Sequence, residues 1–329
     1  MNVILGVDAG NTKTIALVAC SDGTIIGAAR SGCGDIYSVA GGEEISAVAE
    51  AVNAALHVAN IQPRQLVAGG FSMAGADWPE DFSCIEAAVR RWGYGQAITV
   101  VNDAIGPLWA GTEDGVGVAV TCGTGAATGA RASAGRMWHS SFWQHPAGGH
   151  QLGEKALHAV FAAELGTGPA TVLRERVLAF YGETAVERVL HRTTARHARE
   201  SSSVRHLARI LLDTAHDGDS VAAAIVQAHG AGLGALAVVA ARKVGLGAQP
   251  FPLALAGGVL RHPTHLLADA LVARVQATLP NAQPVASRFE PVIGALLMAM
   301  QSAGLSTDEH TRMRIAASSP PPGFFKSDE

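Results

Sequence analysis

The residues best suited to chemistry sit where apolar runs stop. The first run, residues 3–7, ends at Asp8 and is followed by Ala9-Gly10-Asn11, a tight turn. Thr12-Lys13-Thr14 then opens a second β-prone run, residues 15–19. This is a hairpin whose tip carries a carboxylate, a glycine, small hydroxyls and a lysine. A glycine turn lets a polyanion approach backbone N–H groups closely, and an Asp at a strand end can hold Mg²⁺ through water. Turns of Asp, Gly and Asn are also common in hairpins without a ligand. The tip draws its meaning from what recurs downstream.

Three further strand ends carry similar residues. Residues 115–121 run into Cys122-Gly123-Thr124-Gly125, residues 252–256 into Gly257-Gly258, and residues 97–101 into Asn102-Asp103. In an open α/β sheet, ligands bind beyond the strand ends. Two Gly-Thr turns meeting at one crevice can clamp a polyphosphate from both sides. Gly257 and Gly258 leave room for a flat ring. Asp103 supplies a carboxylate placed to accept the proton of an attacking hydroxyl. The same Asp103 would also serve as an N-cap for a short helix beginning near Ile105.

The elements that must position these turns alternate. A third strand over residues 24–30 precedes a loop, residues 32–42, that contains Asp35 and Tyr37. Residues 43–60 carry apolar side chains at helical spacing: Ile45, Val48, Ala49, Val52, Ala55 and Leu56. Residues 66–71 form a short apolar strand that opens into residues 72–79, and residues 80–92 are a helix. The second half restarts with a strand, a small turn and a strand, then becomes helical from 148 to 244 before the strand at 252–256. This order predicts an α/β fold with a largely parallel sheet and a weak internal duplication. The boundaries read as a first domain 1–112, a second domain 113–290 with a helical insertion, and a last helix 291–304 packing back on the first. Residues 305–329, with Ser318-Ser319-Pro320-Pro321-Pro322, are expected to be a disordered tail.

At this point the motifs carry a resemblance. VDAGNTKT at 7–14, NDA at 102–104, GTG at 123–125 and LAGGVL at 255–260, in that order, resemble the sugar-kinase/Hsp70/actin superfamily of ATPases. More narrowly they are similar to the N-acetylglucosamine kinase and BadF/BadG/BcrA/BcrD-type ATPase family, over about residues 1–304. Further matches are residues 75–81, Gly148-Gly149 with Leu152-Gly153-Glu154, and residues 291–295. The resemblance implies a duplicated actin-like (ribonuclease H-like) ATPase fold, two domains with a nucleotide cleft between them. It also implies ATP-dependent phosphorylation of a sugar or amino sugar. Gly10, Asn11, Thr12, Lys13 and Thr14 would form the first phosphate loop, with Asp8 holding Mg²⁺ through water. Gly123, Thr124 and Gly125 would form the second, and Gly257 and Gly258 would approach the adenosine. Asp103 would be the catalytic base, and Asp35, Asp77, Gly149, His150 and Glu154 would contact the sugar.

Several positions depart from the family pattern. Ala126 and Ala127 stand where Ser and Asn are usual, His150 where Trp is usual, Glu154 for Asp and Asp35 for Asn. The added charge of Asp35 suits a free ammonium group, which favours glucosamine over N-acetylglucosamine. Two other readings stay open: an ATPase that drives a partner protein, and a degenerate nucleotide-binding regulator. Cys122 beside the second turn has no second cysteine at a spacing suited to an iron–sulfur cluster.

Composition bounds the rest. The chain has 329 residues, 48% hydrophobic and 16% charged, with a net charge of −4. That balance makes no electrostatic case for nucleic acid or an anionic membrane. The four cysteines lack metal or redox spacing and read as reduced intracellular thiols. The N-terminus lacks a basic leader, so the expectation is a cytoplasmic protein. No uninterrupted apolar run approaches about 18 residues, so no spanning helix is expected, and residues 230–241 read as a buried helix. The glycine motif inside that segment mimics a dinucleotide fingerprint but follows no strand. Residues 191–206, rich in Arg, His and Ser, read as a solvated surface. The partner expected is a small sugar, and a homodimer is left open.

Overall fold

The structure is a computed structural model and describes residues 2–37, 45–145, 147–196 and 201–325. The expected helix start at 43–44, most of the loop beyond Tyr37, and residues 197–200 lie outside the described residues.

Two five-stranded sheets repeat one plan. The first contains β1 (Val3–Ala9), β2 (Thr14–Cys20), β3 (Ile25–Ser31), β4 (Leu66–Met73) and β5 (Ala97–Asn102), in the order β3-β2-β1-β4-β5. The second contains β6 (Gly117–Cys122), β7 (Ala126–Arg131), β8 (Met137–His139), β9 (Phe251–Ala256) and β10 (Ala282–Ala286), in the order β10-β9-β6-β7-β8. Strand for strand, β6 stands where β1 does and β9 where β4 does. In each sheet a hairpin of antiparallel strands is extended by two parallel ones. The duplication visible only as an order of motifs is therefore a duplication of topology. Strand β8 has no counterpart in the sequence reading, because three residues are too few to show a period.

Helices α1 (Ser46–Ala59) and α2 (Pro79–Arg91) cover one face of the first sheet, and α3 (Pro107–Gly111) lies on the other. Alternation along β1 explains the division. Val3, Leu5, Val7 and Ala9 point into the cluster with α1 and α2, while Ile4 points the other way. A helical layer backs the second sheet: α4 (Gly149–Glu164), α5 (Leu173–Tyr181), α6 (Val186–Thr194), α7 (Leu207–His216), α8 (Ser220–Val244) and α9 (Leu266–Gln276). Helix α10 (Pro291–Ser302) returns to the first sheet. It approaches so closely that a Cβ at Gly70 would lie 2.2 Å from the Ala295 carbonyl oxygen. Residues of α3 and α10 share one apolar cluster with Ala119 of β6 and Ala254 of β9, so this cluster is the seam between the sheets.

One expectation is corrected here. The segment from 305 to 325 packs. Helix α11 (Glu309–Ser318) is capped by Asp308, whose carboxylate accepts from Thr311 N at 2.9 Å. Ile315 is fully buried, and Arg312 Nη2 donates to the carbonyls of Thr112 at 3.1 Å and Glu113 at 3.0 Å. The helix is polar and its partners lie far away in sequence, so its periodicity is weak. The helix expected over 230–241 lies inside α8, which is long and apolar enough, by length and composition alone, to cross a membrane. Its apolarity has a local cause: it packs against α9, and a Cβ at Gly230 would lie 2.2 Å from the Leu267 carbonyl oxygen. That close packing also accounts for the dinucleotide-like glycines.

Candidate active site

The first turn is held from within. Gly10 N donates to Lys13 O at 2.9 Å, and Gly34 N donates to Gly10 O at 3.0 Å. Asn11 and Thr12 are exposed at the tip. Thr14 is fully buried, and its hydroxyl donates to the Gly32 carbonyl at 3.0 Å. The Thr14 side chain therefore braces the turn from behind. Lys13 Nζ donates to the carbonyl of Phe325 in the C-terminal segment.

The second turn is braced by α4. Gly123 N donates to Gly125 O at 2.8 Å, and Gly149 N donates to Gly123 O at 2.7 Å. A Cβ at Gly148 would lie 2.2 Å from the Gly125 carbonyl oxygen, so only glycine permits this approach. The entry to α4 is pinned from α8. Buried His229 donates from Nε2 to Ala147 O at 2.8 Å, and its Nδ1 faces Lys155 Nζ at 3.0 Å. Burial, then the Lys155 charge, pushes the His229 pKa down to about 4, which keeps the ring neutral. The third turn sits on the same strand end. Gly257 has φ +97°, and a Cβ there would lie 2.3 Å from the Cys122 carbonyl oxygen. Gly258 faces open space.

A cavity of about 490 Å³ lies over the first turn. Asn11, Thr12 and Lys13 line it together with Arg30 and, from the helical layer, Arg205. Arg205 was expected on a solvated surface. It reaches the cavity because residues 201–206, a 3-10 segment, pack on α4, where a Cβ at Gly153 would lie 1.9 Å from the Val204 carbonyl oxygen. Nothing periodic in the sequence signals that approach.

Four carboxylates converge at the ends of β1 and β5. Burial pushes the Asp103 pKa up to about 7, and the charges of Asp8, Asp77 and Asp35 add to the rise. Burial likewise raises Asp8 to about 6, opposed by the Ser72 hydroxyl and the Lys13 ammonium. Asp103 N donates to Met73 O at 3.1 Å, so the backbone after β5 is tied to the end of β4. Asp35 Oδ1 accepts from Tyr37 N at 3.0 Å, and the same oxygen would lie 2.7 Å from a Cβ at Gly75.

Asp77 is held from two sides. Its Oδ1 accepts from Asn102 Nδ2 at 2.8 Å and from Ser141 Oγ at 2.5 Å. His139 Nδ1 lies 2.5 Å from Ser141 Oγ and 4.0 Å from Asp77. Ser141 and His139 belong to the second sheet's side of the molecule, so this network crosses between the halves. Neither residue stood out in the sequence, because their partner is about sixty residues away. His150 and Glu154, on the first turns of α4, pair with each other at 3.5 Å and are about half exposed. Ala126 and Ala127 lie at the start of β7 opposite Cys122 and Thr121. Among the described residues, no cluster of three or more His, Cys, Asp or Glu side chains could hold a metal ion by itself.

Known proteins are similar to this chain. The sequence matches the BadF/BadG/BcrA/BcrD ATPase family over residues 5–299. It is 25% identical over 303 residues to the N-acetylmuramic acid/N-acetylglucosamine kinase of Clostridium acetobutylicum, covering 91% of this chain and 98% of that protein. It is 25% identical over 317 residues to the N-acetyl-D-glucosamine kinase of Dictyostelium discoideum, again covering 91% and 98%. The crystal structure of a candidate N-acetylglucosamine kinase from Chromobacterium violaceum superposes with a TM-score of 0.66 at 22% identity, covering 91% of this chain and 99% of that one. That structure establishes the likeness of fold. The chain belongs to the BadF/BadG/BcrA/BcrD ATPase family.

Proposed function

We propose that the protein is an ATP-dependent kinase of a sugar or amino sugar, with Asp103 as the general base. The observation that carries the reading is that two braced Gly-Thr turns, an open glycine turn and a half-buried carboxylate all lie at strand ends of two duplicated sheets. Its two curated relatives are named as kinases of N-acetylated amino sugars, and they align with nearly the whole chain.

The roles follow from position. Backbone N–H groups near Asn11–Lys13 line the polyphosphate in the first cavity, where Arg30 and Arg205 supply positive charge, and the turn Gly123–Gly125 closes on it from the second sheet. The open side of Gly258 receives the adenine ring. Asp103 takes the proton of the acceptor hydroxyl as that oxygen bonds to the γ-phosphorus and the bond to the β-phosphate oxygen breaks. Asp8 suits a Mg²⁺ that keeps most of its waters: a single half-buried carboxylate at a strand end, beside a polyphosphate, is how that ion is usually held. When bound, the ion would offset charge on the transferring group. Asp35 and Asp77 mark the acceptor side and favour an uncharged or amino-bearing sugar. Such chemistry is mostly positioning and charge stabilisation, so few polar side chains suffice. ATP as donor and four free cysteines fit a cytoplasmic setting.

The test is ADP release over a panel of sugars, amino sugars and N-acetyl sugars, with a no-acceptor control. Release that depends on one sugar supports the kinase. Release that ignores every sugar leaves only an ATPase.

A further inference from the structure

A second cavity, of about 460 Å³, opens beside the acidic cluster and is unlike the first. One end is polar: Asp77, His139 and Ser141, already joined by hydrogen bonds. The other end is aromatic. Trp78 contributes from the approach to α2, and Phe142 and Trp143 contribute from the 3-10 segment after β8. Trp78 is 47% exposed, Phe142 69% and Trp143 74%. Trp78 and Phe142 stack with ring planes 16° apart, and Tyr37 meets Phe142 edge-on at 5.8 Å. Large apolar side chains held open around a concave wall mark a binding surface.

The two ends give the cavity a direction. Asp77 is bonded to Asn102, the neighbour of Asp103, so the polar end abuts the candidate base. The aromatic side chains continue from that network along the chain, Trp78 from Asp77 and Phe142 from Ser141. A single pyranose contacting Asp77 does not fill the cavity. The carboxylate disfavours an anionic occupant, and stacked aromatic faces suit a flat ring or the C–H face of a sugar. We propose that this wall is a subsite for a ring-bearing substituent on the acceptor. The acceptor is then an uncharged or amino-bearing sugar linked to a second ring, as in a disaccharide or an aryl-type conjugate. This inference rests on the sugar-kinase reading for the identity of the acceptor, and on the aromatic wall for the second ring.

Binding and turnover separate the two claims. Calorimetric titration of the full chain compares matched pairs: phenyl with methyl β-D-glucosaminide, and N-benzoyl- with N-acetylglucosamine. In at least one pair the ring-bearing member binds about tenfold more tightly, the scale of one aromatic contact plus the burial of its ring. Phe142→Ala brings that preference to within about twofold and leaves binding of the methyl or acetyl partner unchanged. Trp78→Phe retains most of it. Both side chains are exposed, so neither change empties the core. The proposal is overturned if no pair shows a ring preference, or if the preference survives Phe142→Ala. It is also overturned if Phe142→Ser instead splits a dimer whose ring preference is nil, since the wall then serves a second copy. Ring-selective binding without phosphorylation of any sugar defeats the kinase reading and leaves the subsite standing. Phosphorylation of bare sugars with no ring preference does the reverse.

Discussion

Asn102 donates its side-chain Nδ2 to the Asp77 carboxylate across 2.8 Å, and its side-chain Oδ1 accepts from Ala104 N at 2.9 Å. The residue before the candidate base is thus locked to the acceptor side of the cleft and to the turn that carries the base. Asn102 is 3% exposed, so nothing replaces these bonds if they are lost. Asn102→Ala should lower stability by about 2 kcal/mol, the cost of a buried charge-assisted hydrogen bond. It should also raise the acceptor KM more than the ATP KM. Denaturant unfolding and two-substrate kinetics check both, and an equal rise in the two KM values would detach Asn102 from the acceptor.

The pH dependence follows from the same cluster. A general base works ionised, and burial with the neighbouring carboxylates puts the Asp103 pKa near 7. Acceptor-dependent kcat/KM should rise about tenfold per pH unit below that value and level off above it. Stability runs the other way. The folded state retains this proton from the ordinary value of 3.8 up to about 7, so the contribution is full at low pH and is lost as pH rises through the folded value. Asp103→Asn should flatten the thermal stability profile across that window. A rate already level at pH 5.5 would be inconsistent with Asp103 as the base.

Adjacent glycines in the third turn should fail differently. Gly258 faces open space, so Gly258→Phe leaves the fold intact and fills the room for the adenine ring. Its melting temperature should match the wild type without ligand and no longer rise with Mg·ATP. Gly257→Ala places a Cβ 2.3 Å from the Cys122 carbonyl oxygen at φ +97°, and should lose stability outright. If Gly258→Phe still gains stability from Mg·ATP, adenine binds elsewhere.

The C-terminal helix makes a prediction the sequence did not suggest. Ile315 of α11 is fully buried in the seam cluster shared by the two sheets. Ile315→Ala should cost about 2–5 kcal/mol, as large-to-small changes in packed cores do. Unfolding midpoints in urea test this, and an unchanged midpoint would mean that α11 does not contribute to the fold.

What was legible in the sequence was local. The turns after β1, β6 and β9 announce themselves by glycine and threonine at the ends of apolar runs, and Asp103 by its place after β5. Hidden features are those made by distant partners. Ser141 and His139 acquire a role only where β8 is carried to Asp77, and Arg205 only where Gly153 lets the 3-10 segment sink onto α4. The bracing role of the Thr14 side chain is hidden too, because a hydroxyl beside a turn reads the same whether it faces outward or braces the loop behind it. The polar α11 misled for the opposite reason: its buried residues are one isoleucine, one threonine and one arginine, too few apolar side chains for a pattern.

Asp103 provides the most direct test of the account. Acceptor-dependent ADP release should be compared for the wild type and Asp103→Asn at saturating Mg·ATP, with the best sugar from the panel. The substitution keeps the side-chain shape and removes the base. Release should fall by at least about a hundredfold, the lower end of what general-base catalysis contributes, while the stabilisation by Mg·ATP persists. Near wild-type release from Asp103→Asn would contradict the account, and would reduce Asp103 to a half-buried carboxylate in the turn before α3.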